Sequence, residues 1–220
     1  MEQDFWHQRW HNNEIGFHQE TVNPYLLQYW PRMQLQPGAR VLIPCCGKSL
    51  DLLWLHEQGF DVMGVEISTL AVAAFFTDHQ LQAKNTEQGG YRISSMNRLQ
   101  LYCGDFFQLT ATDVNGVAAV YDRGSMVAMP AEMRRDYCNH LQEITNKQVP
   151  ILLVTLDYPE TEMQGPPFSI SENEIHSTYA NDYEIVILET QDILTDEPFF
   201  QDKGLTRLQE RAYILSPRKA

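Results

Sequence analysis

The stretch over residues 40–66 constrains the fold of this chain more than any other part of the sequence. It opens with a short apolar run, residues 41–43, of the kind that forms a buried parallel strand, and a turn around Gly47 interrupts that run. Leucines at helical spacing follow over residues 49–58, and a second strand-like run occupies residues 61–65. This order predicts a strand–turn–helix–strand unit of an α/β fold.

The turn and the acid that follows the second strand together predict a nucleoside site. In such a unit the backbone N–H groups of the turn lie at the carboxyl ends of the strands, where nucleotide-like ligands bind. Glu66 follows Gly47 by about 20 residues and sits at the tip of the second strand, where its carboxylate can accept hydrogen bonds from both ribose hydroxyls. The alternative is an ordinary crossover with a surface acid.

The glycine content of the turn indicates which nucleoside fits. A dinucleotide site usually has three glycines in Gly-x-Gly-x-x-Gly, whereas residues 44–47 (PCCG) contain one. The triplet at residues 47–49 (GKS) resembles the end of a phosphate-binding loop, but Leu42 occupies the position where that loop needs its other glycine. The turn therefore predicts a nucleoside without phosphates, such as S-adenosylmethionine.

The length and the net charge of the chain argue against several other classes of protein. A chain of 220 residues with 43% apolar residues predicts one soluble domain over residues 1–220, in which residues 1–38 form a helical extension. No apolar run approaches the roughly 20 residues that span a bilayer, and the start lacks the features of a targeting peptide, so we expect a cytoplasmic protein without a membrane partner. A net charge of −13 argues against nucleic acid as a partner. Nothing marks a dimer face, so a monomer is expected.

The cysteines and histidines do not predict a disulfide or a metal site. The four cysteines show neither a CxxC pair nor a metal-finger spacing, and we interpret them as packing residues of a reducing compartment. A redox role for Cys45 or Cys46 is the alternative. His7 and His11 share a predicted helix face, but no spacing nominates a third ligand, so no metal is expected.

The N-terminal extension begins with a predicted helix over residues 4–12. Trp6 and Trp10 stand four residues apart and share a face of it. Two tryptophans so near a terminus indicate either a helix packed on the body or a lid that buries the ligand, with Trp10 near the cofactor.

Two further strand ends carry side chains that suit a ligand site. The predicted third strand, residues 99–103, ends in an acid that could reach an adenine amino group, Asp105, with Phe106 against the ring. Asp105 is also a plausible helix N-cap, and both roles can hold together. The fourth strand, residues 117–121, is followed by Arg123, a five-donor cation that could bind a carboxylate of the cofactor or steer an electron-rich substrate. The alternative is a structural pair with Asp122.

The full pattern predicts a mostly parallel seven-stranded sheet with helices on both faces. The last two strands are expected to form an antiparallel pair, and residues 85–97 a loop or small hairpin. The remaining predicted strands are residues 149–156, 183–190 and 208–215, and the remaining helices are residues 24–30, 69–80, 130–146 and 171–179, the last with a capping box, Ser171–Glu174.

Several segments together resemble one family. The segments VLIPCCGKSLDLLWL, GFDVMGVEIS, CGDFF, YDRGSMVAMPAEMR and LVTLDYPETEMQGPPFSI, with the N-terminal FWHQRW and GFH, are similar to the bacterial thiopurine S-methyltransferases. The resemblance covers nearly the whole chain. It implies a Rossmann-like class I methyltransferase with an N-terminal helical lid, which moves a methyl group from S-adenosylmethionine to the sulfur of aromatic and heterocyclic thiols such as 6-mercaptopurine, in xenobiotic metabolism.

The resemblance also implies roles for single residues. Matched by motif, the cofactor contacts are Trp10, Cys45, Glu66 and Arg123; Cys45 replaces the leucine usual in that turn, where a backbone contact would tolerate the exchange. A second arginine expected upstream of the last strand has no clear match, and Lys203 is the nearest cation.

The expected chemistry is an in-line attack of a thiolate on the methyl carbon, in which the protein mainly positions the reactants. A cation near the sulfur favours the thiolate, and Arg123 is the candidate for this catalytic role. Aromatic side chains are candidates for the substrate wall, namely Trp6, Phe17, Phe168 and Phe199. Alternatives are a methyltransferase of the same scaffold acting on halide, sulfide or selenium and tellurium species, and a non-catalytic S-adenosylmethionine-binding protein.

Overall fold

The computed structural model describes residues 3–218. Its helices are α1 (Gln3–His11), α2 (Pro24–Tyr29), α3 (Leu50–Glu57), α4 (Thr69–Asp78), α5 (Ala131–Ile144), α6 (Glu172–Tyr179) and α7 (Pro198–Asp202). Its strands are β1 (Arg40–Ile43), β2 (Asp61–Glu66), β3 (Lys84–Gln88), β4 (Tyr91–Met96), β5 (Leu99–Cys103), β6 (Val117–Arg123), β7 (Ile151–Asp157), β8 (Tyr183–Asp192) and β9 (Gln209–Pro217). The chain divides into two units, Met1–Tyr121 and Asp122–Ala220, each of which is described by itself.

The first unit contains the predicted strand–turn–helix–strand segment at the centre of its sheet. Its strands follow the order β3-β4-β5-β2-β1-β6. β1 lies parallel to β2 and β6, and β2 lies parallel to β5, so the carboxyl ends of these four strands share one edge. Ligands of open α/β sheets bind at such an edge.

The strands β3 and β4 form an antiparallel hairpin, and β4 continues it onto β5. This hairpin occupies the segment for which the sequence predicted a loop or small hairpin. It accounts for the difference between the seven predicted strands and the nine strands in the described residues, since each of the seven has a counterpart. Polar residues on both faces of β3, all exposed, explain why the sequence pattern predicted it weakly.

Close packing in the first unit depends on one glycine of β2. A Cβ added at Gly64 would lie 2.5 Å from the Leu101 side chain, 2.8 Å from Cys46 Sγ and 2.9 Å from the Leu52 side chain. Leu52 and Leu101 are both fully buried, so neither can move aside cheaply. Gly64 therefore allows α3 and β5 to approach β2, and the approach brings the turn after β1 against the end of β2.

Side-chain caps begin most of these helices where the sequence predicted. Asn23, Ser49 and Ser68 accept hydrogen bonds from the first backbone N–H groups of α2, α3 and α4. Ser171 caps α6 in the same way, but the Glu174 carboxylate binds Arg134. The predicted capping box is therefore formed by its serine, while its glutamate is used in a salt bridge with 2.5 and 2.9 Å contacts.

The second unit contains three strands in the order β7-β9-β8. β9 lies antiparallel to both neighbours, so the predicted antiparallel pairing of the last two strands is confirmed. None of the helices in the described part of the chain combines the length and the apolar character that crossing a bilayer requires.

Candidate functional site

The carboxylate of Glu66 joins the end of β2 to the turn after β1. Its Oε2 accepts a hydrogen bond from the Gly47 N–H at 2.8 Å, and its Oε1 accepts one from the Ser68 N–H at 2.8 Å. Glu66 is only 6% exposed, and burial raises the pKa of its carboxyl, while the backbone N–H groups work in the opposite direction. Since a carboxylate has about four lone-pair sites, each oxygen can accept one more hydrogen bond.

The turn itself adopts a left-handed backbone. Cys45 has φ +44° and Gly47 has φ +54°, a region that favours glycine. A Cβ at Gly47 would lie 3.3 Å from Cζ2 of Trp10, so the indole covers the turn at the point where the side chain is missing. Trp10 is 9% exposed, and it is the one buried residue of α1 among those the structure describes.

Phe17 connects the two tryptophans of α1. Its ring centroid lies 5.7 Å from the rings of both Trp6 and Trp10, with the ring planes near perpendicular. Phe17 remains 45% exposed. The three rings form an aromatic edge beside the turn, with one face left to solvent.

Asp105 lies at the end of β5 and has two hydrogen-bond donors. Its Oδ1 accepts from the Phe107 N–H at 3.0 Å, which caps a short 3-10 turn and confirms the predicted N-cap role. Its Oδ2 accepts from Nε2 of Gln3 at 2.9 Å. The ring of Phe106 is only 5% exposed, so it packs mainly in the protein.

The helix α1 thus contacts two neighbouring parts of the carboxyl edge. Gln3 at its start reaches Asp105 after β5, and Trp10 near its end lies on Gly47 after β1. A helix anchored at both ends in this way lies across the edge where the predicted nucleoside would bind.

Asp51, a buried acid for which no role was predicted, connects three elements near this edge. Asp51 is 1% exposed; its Oδ1 accepts from the backbone N–H of Asn23 at 2.8 Å, and its Oδ2 accepts from the hydroxyl of Tyr121 at 3.0 Å. Asp51 therefore ties the start of α2 and the end of β6 to the first turn of α3. The signal in the sequence was an acid next to the buried leucine face of a helix.

Three of the four cysteines, Cys46, Cys103 and Cys138, are buried, in agreement with the predicted packing role, whereas Cys45 is half-buried. All four lie in the described residues as free thiols, and burial raises the pKa values of Cys46, Cys103 and Cys138. These three thiols therefore stay protonated near neutral pH, which argues against a redox role for Cys46.

In the second unit, Arg123 is the last residue of β6 and is half-buried. The adjacent Asp122 is 1% exposed and accepts a hydrogen bond from the Tyr137 hydroxyl at 2.7 Å, and burial raises the pKa of Asp122 to about 6. Because successive side chains on a strand point to opposite faces, Arg123 is directed away from the side that Asp122 occupies.

The segment after β7 carries Phe168, one of the residues predicted for the substrate wall. The peptide bonds Gly165–Pro166 and Pro166–Pro167 are cis, and the Phe168 N–H donates to the Val127 carbonyl at 2.6 Å. The Tyr158 hydroxyl donates to the Pro167 carbonyl at 2.6 Å. A Cβ at Gly165 would lie 2.6 Å from the Phe168 ring, so the half-buried ring packs directly on the glycine.

The other predicted wall residue of this unit lies on α7. Phe199 is 54% exposed, and Nζ of Lys203 lies 5.5 Å from its ring centroid. The neighbouring Phe200 is the buried one, and it packs with Tyr158, Leu205 and Leu208. Lys203, the cation nearest to the position of the expected second arginine, therefore lies over the exposed ring of Phe199.

A cluster of two arginines around Asp157 was not predicted. Asp157 ends β7 and is bound by Arg207 at 3.0 Å and by Arg211 at 2.5 Å. Both arginines also donate to the Gln209 side-chain oxygen. Pairing of β7 with β9 brings these residues together across about 50 positions of sequence, a contact that no local pattern reveals.

A polar cleft of about 690 Å³ lies along α5 and α6, and its lining includes Arg135, Gln142, Lys147 and Asn181. It contains none of the predicted site residues. The volume of this cleft therefore does not identify it as the predicted ligand site.

The residues at the carboxyl edge of the first unit fit an unphosphorylated nucleoside. Gly47 leaves the turn without a side chain under the Trp10 ring, and the Glu66 oxygens keep acceptor capacity for ribose hydroxyls. The two cysteine side chains that precede Gly47 leave no glycine-rich cradle for a pyrophosphate.

Solved structures share this fold. An S-adenosylmethionine-dependent methyltransferase from Anabaena variabilis matches 98% of this chain and 95% of its own, with a TM-score of 0.66 and 14% identity. One from Geobacter sulfurreducens, solved with S-adenosylhomocysteine, matches 90% of this chain and 92% of its own, with a TM-score of 0.58 and 15% identity. The chain therefore has the class I methyltransferase fold of these structures, which confirms the predicted fold class.

Sequence comparison identifies the family. The family model described as thiopurine S-methyltransferase matches residues 1–219. A protein named thiopurine S-methyltransferase from Pseudomonas fluorescens strain Pf0-1 is 47% identical to this chain, over 97% of this chain and 98% of the relative. A protein of the same name from Azotobacter vinelandii is 46% identical, over 99% of this chain and 100% of the relative. The chain belongs to the thiopurine S-methyltransferase family, and the predicted family, enzyme class and S-adenosylmethionine cofactor are confirmed.

Proposed function

We propose that the enzyme methylates the sulfur of aromatic and heterocyclic thiols such as 6-mercaptopurine, with S-adenosylmethionine as the methyl donor. The full-length match to proteins named thiopurine S-methyltransferase carries this proposal. We further propose that residues 1–220 work as one domain, in line with a family match that extends over residues 1–219.

We propose cofactor contacts in the first unit that the family resemblance implies and that the geometry of its carboxyl edge supports. Glu66 accepts hydrogen bonds from the ribose, while it continues to hold the turn through Gly47. Trp10 covers the turn, and Cys45 contributes backbone groups. Asp105 accepts a hydrogen bond from the adenine amino group in this proposal, in addition to the bonds from Phe107 and Gln3.

Phe106 contacts the adenine ring in this proposal through the small part of its surface that is exposed, and it also belongs to the turn that Asp105 caps. The helix α1 acts as a lid in this proposal, because it contacts the edge at both of its ends.

S-adenosylmethionine supplies a methyl group that its sulfonium already activates. The protein then has to orient the acceptor sulfur, exclude water and favour the thiolate. An ordinary thiol has a pKa of about 8.5, so a nearby cation increases the thiolate fraction at neutral pH. Arg123 is the proposed cation, since it stays charged at any working pH and ends β6 at its carboxyl terminus.

Aromatic side chains supply the proposed acceptor wall. Phe17 with Trp6 in the first unit, and Phe168 and Phe199 in the second, expose ring surface in the structure. Apolar rings bind planar heterocycles and keep water away from a reaction in which thiolate and sulfonium charges cancel.

Replacement of Arg123 by alanine tests the proposed catalytic role. With an acceptor whose thiol pKa is about 8.5, turnover of Arg123→Ala should fall at least tenfold at pH 7 and by a smaller factor at pH 9, where most of the acceptor is already thiolate. Arg123→Lys, which keeps a cation, should recover part of the loss at pH 7. Equal losses at both pH values would contradict thiolate stabilisation. Calorimetry with S-adenosylhomocysteine then shows whether the arginine binds the cofactor instead.

Substrate profiling tests the acceptor class. The aromatic wall predicts that kcat/KM for 6-mercaptopurine exceeds that for hydrogen sulfide and for iodide by at least tenfold. A preference for either small acceptor would overturn the proposed acceptor class but leave the family membership intact.

A further inference from the structure

The residues Asp157, Arg207, Gln209 and Arg211 form a closed ring of four hydrogen bonds in the second unit. Arg207 Nη2 donates to Asp157 Oδ1 at 3.0 Å, and Arg211 Nη1 donates to Asp157 Oδ2 at 2.5 Å. The Gln209 side-chain oxygen closes the ring, since it accepts from Arg207 Nη1 at 2.7 Å and from Arg211 Nη2 at 2.6 Å. We call these four residues the arginine ring.

The arginine ring carries one positive charge in excess. Its two arginines face one carboxylate, in a chain whose net charge is −13. The two arginines differ in exposure: the Arg211 side chain is 11% exposed, whereas that of Arg207 is 38% exposed. The exposed part of the excess charge therefore belongs to Arg207.

Arg207 is held in place by two hydrogen bonds and has further N–H donors that the arginine ring does not use. The ring uses two of the five N–H donors that a guanidinium carries. Two bonds from one side fix the side chain, so an anion that binds the remaining donors does not have to immobilise a flexible arginine. A planar guanidinium matches a carboxylate in a two-bond arrangement.

The position of the arginine ring points to the acceptor. Asp157 ends β7, and strand carboxyl ends form the ligand edge of α/β sheets. The next residue, Tyr158, is bonded to Pro167 in the wall that presents Phe168. Asp157 of the arginine ring and the segment that carries Phe168 therefore both lie at the carboxyl end of β7.

From these observations we propose that Arg207 binds the carboxylate of an aromatic thiol acid and so makes the enzyme selective for anionic acceptors. This inference rests on the proposed function, because it assigns the acceptor class of the same site. Arg211 and Gln209 act as positioning residues, since they hold Asp157 and Arg207 without the same exposure.

A pair of matched acceptors tests the proposal. The probes are 4-sulfanylbenzoate and its neutral amide, 4-sulfanylbenzamide, which place the thiol on the same ring. For Arg207→Gln, the ratio of KM for the acid to KM for the amide should rise at least tenfold over the wild-type ratio. Arg207→Lys, which keeps the charge without the planar fork, should give an intermediate ratio.

Arg218→Gln is the control variant. It removes the same charge beyond the other end of β9, a strand of 9 residues that is roughly 30 Å long at about 3.3 Å per residue, and it should leave the ratio within twofold of wild type. Calorimetry with 4-(methylsulfanyl)benzoate, the expected product, gives a reading that does not depend on turnover. Product affinity should fall at least tenfold in Arg207→Gln.

Three outcomes decide between the proposals. A ratio that changes less than twofold in Arg207→Gln would overturn anion recognition by Arg207, and so would an equal ratio change in Arg218→Gln. Failure of the wild-type enzyme to methylate the thiol of either probe would overturn thiol methylation itself. If Arg207→Gln does not fold, the KM ratio and the product affinity of Arg207→Lys, both expected to differ from wild type, decide the question.

Discussion

Glu66 holds two backbone N–H groups at once, and its role follows from the number of acceptor sites on a carboxylate. It fixes the turn through Gly47 and the start of α4 through Ser68, with bonds of 2.8 Å each. A glutamine at this position has one oxygen, and its NH₂ group would face one of the two N–H donors. The residue thus combines a structural role with the proposed contact to ribose.

We expect Glu66→Gln to weaken S-adenosylhomocysteine binding by at least tenfold, which corresponds to about 1.4 kcal/mol. Isothermal titration calorimetry measures this directly. Glu57→Gln, at the exposed end of α3, is the control and should bind like wild type. An unchanged dissociation constant for Glu66→Gln would contradict the ribose contact.

Asp122 is the second residue whose environment makes a measurable prediction. Burial raises its pKa from 3.8 to about 6, so the folded state keeps a proton that the unfolded state releases between these two values. The contribution of this group to stability is therefore fully present below the unfolded pKa and is lost as pH rises through about 6.

We expect the free energy of unfolding of wild type, relative to Asp122→Asn, to fall as pH rises from 4.5 to 7. The fall is limited to about 3 kcal/mol, at about 1.36 kcal/mol per pKa unit. Urea denaturation at several pH values measures it, with Asp202→Asn on exposed α7 as the control. A difference between wild type and Asp122→Asn that stays constant with pH would contradict a raised pKa.

At the scale of elements, α1 has few means of holding its position by itself. Its nine residues are fewer than an isolated helix needs for stability in water, and its buried residue is Trp10. Its placement therefore depends on tertiary contacts, of which Gln3 to Asp105 and Trp10 on Gly47 are two. A helix held by such contacts suits the lid role that we propose for it.

Replacement of Gln3 by alanine should speed the release of S-adenosylhomocysteine two- to tenfold, since one exposed hydrogen bond contributes about 0.5–1.5 kcal/mol. Stopped-flow tryptophan fluorescence can follow the release. Gln8→Ala, also exposed on α1, should release the ligand at the wild-type rate. Identical rates for both variants would indicate a packed helix rather than a lid.

At the scale of the whole molecule, ligand binding and stability are linked. A ligand that binds only the folded state, at 100 times its dissociation constant, adds about 2.7 kcal/mol to the free energy of unfolding. For a chain of 220 residues this corresponds to a rise in Tm of about 5–10 °C.

We expect S-adenosylhomocysteine to raise Tm by this amount and NAD to have no effect at the same concentration. The turn after β1 has a single glycine, whereas a dinucleotide site usually has three, so we expect no pyrophosphate to bind there. Differential scanning calorimetry measures both. Stabilisation by NAD equal to that by S-adenosylhomocysteine would overturn the assignment of an unphosphorylated nucleoside. The expected monomer stays a prediction, which light scattering against the chain mass of 25.5 kDa would test.

The sequence by itself determined the parallel strand unit around Gly47 and Glu66, the Ser171 cap of α6 and the family, because each depends on residues close together in the chain or on motifs matched one by one. Only the tertiary structure decided which polar groups meet. Asp51 joins Asn23 to Tyr121, and Arg207 meets Asp157, through contacts between segments far apart in sequence. Local periodicity records which face of an element is buried, but hydrogen bonding between distant side chains depends on strand order and register, which exist only once the chain has folded.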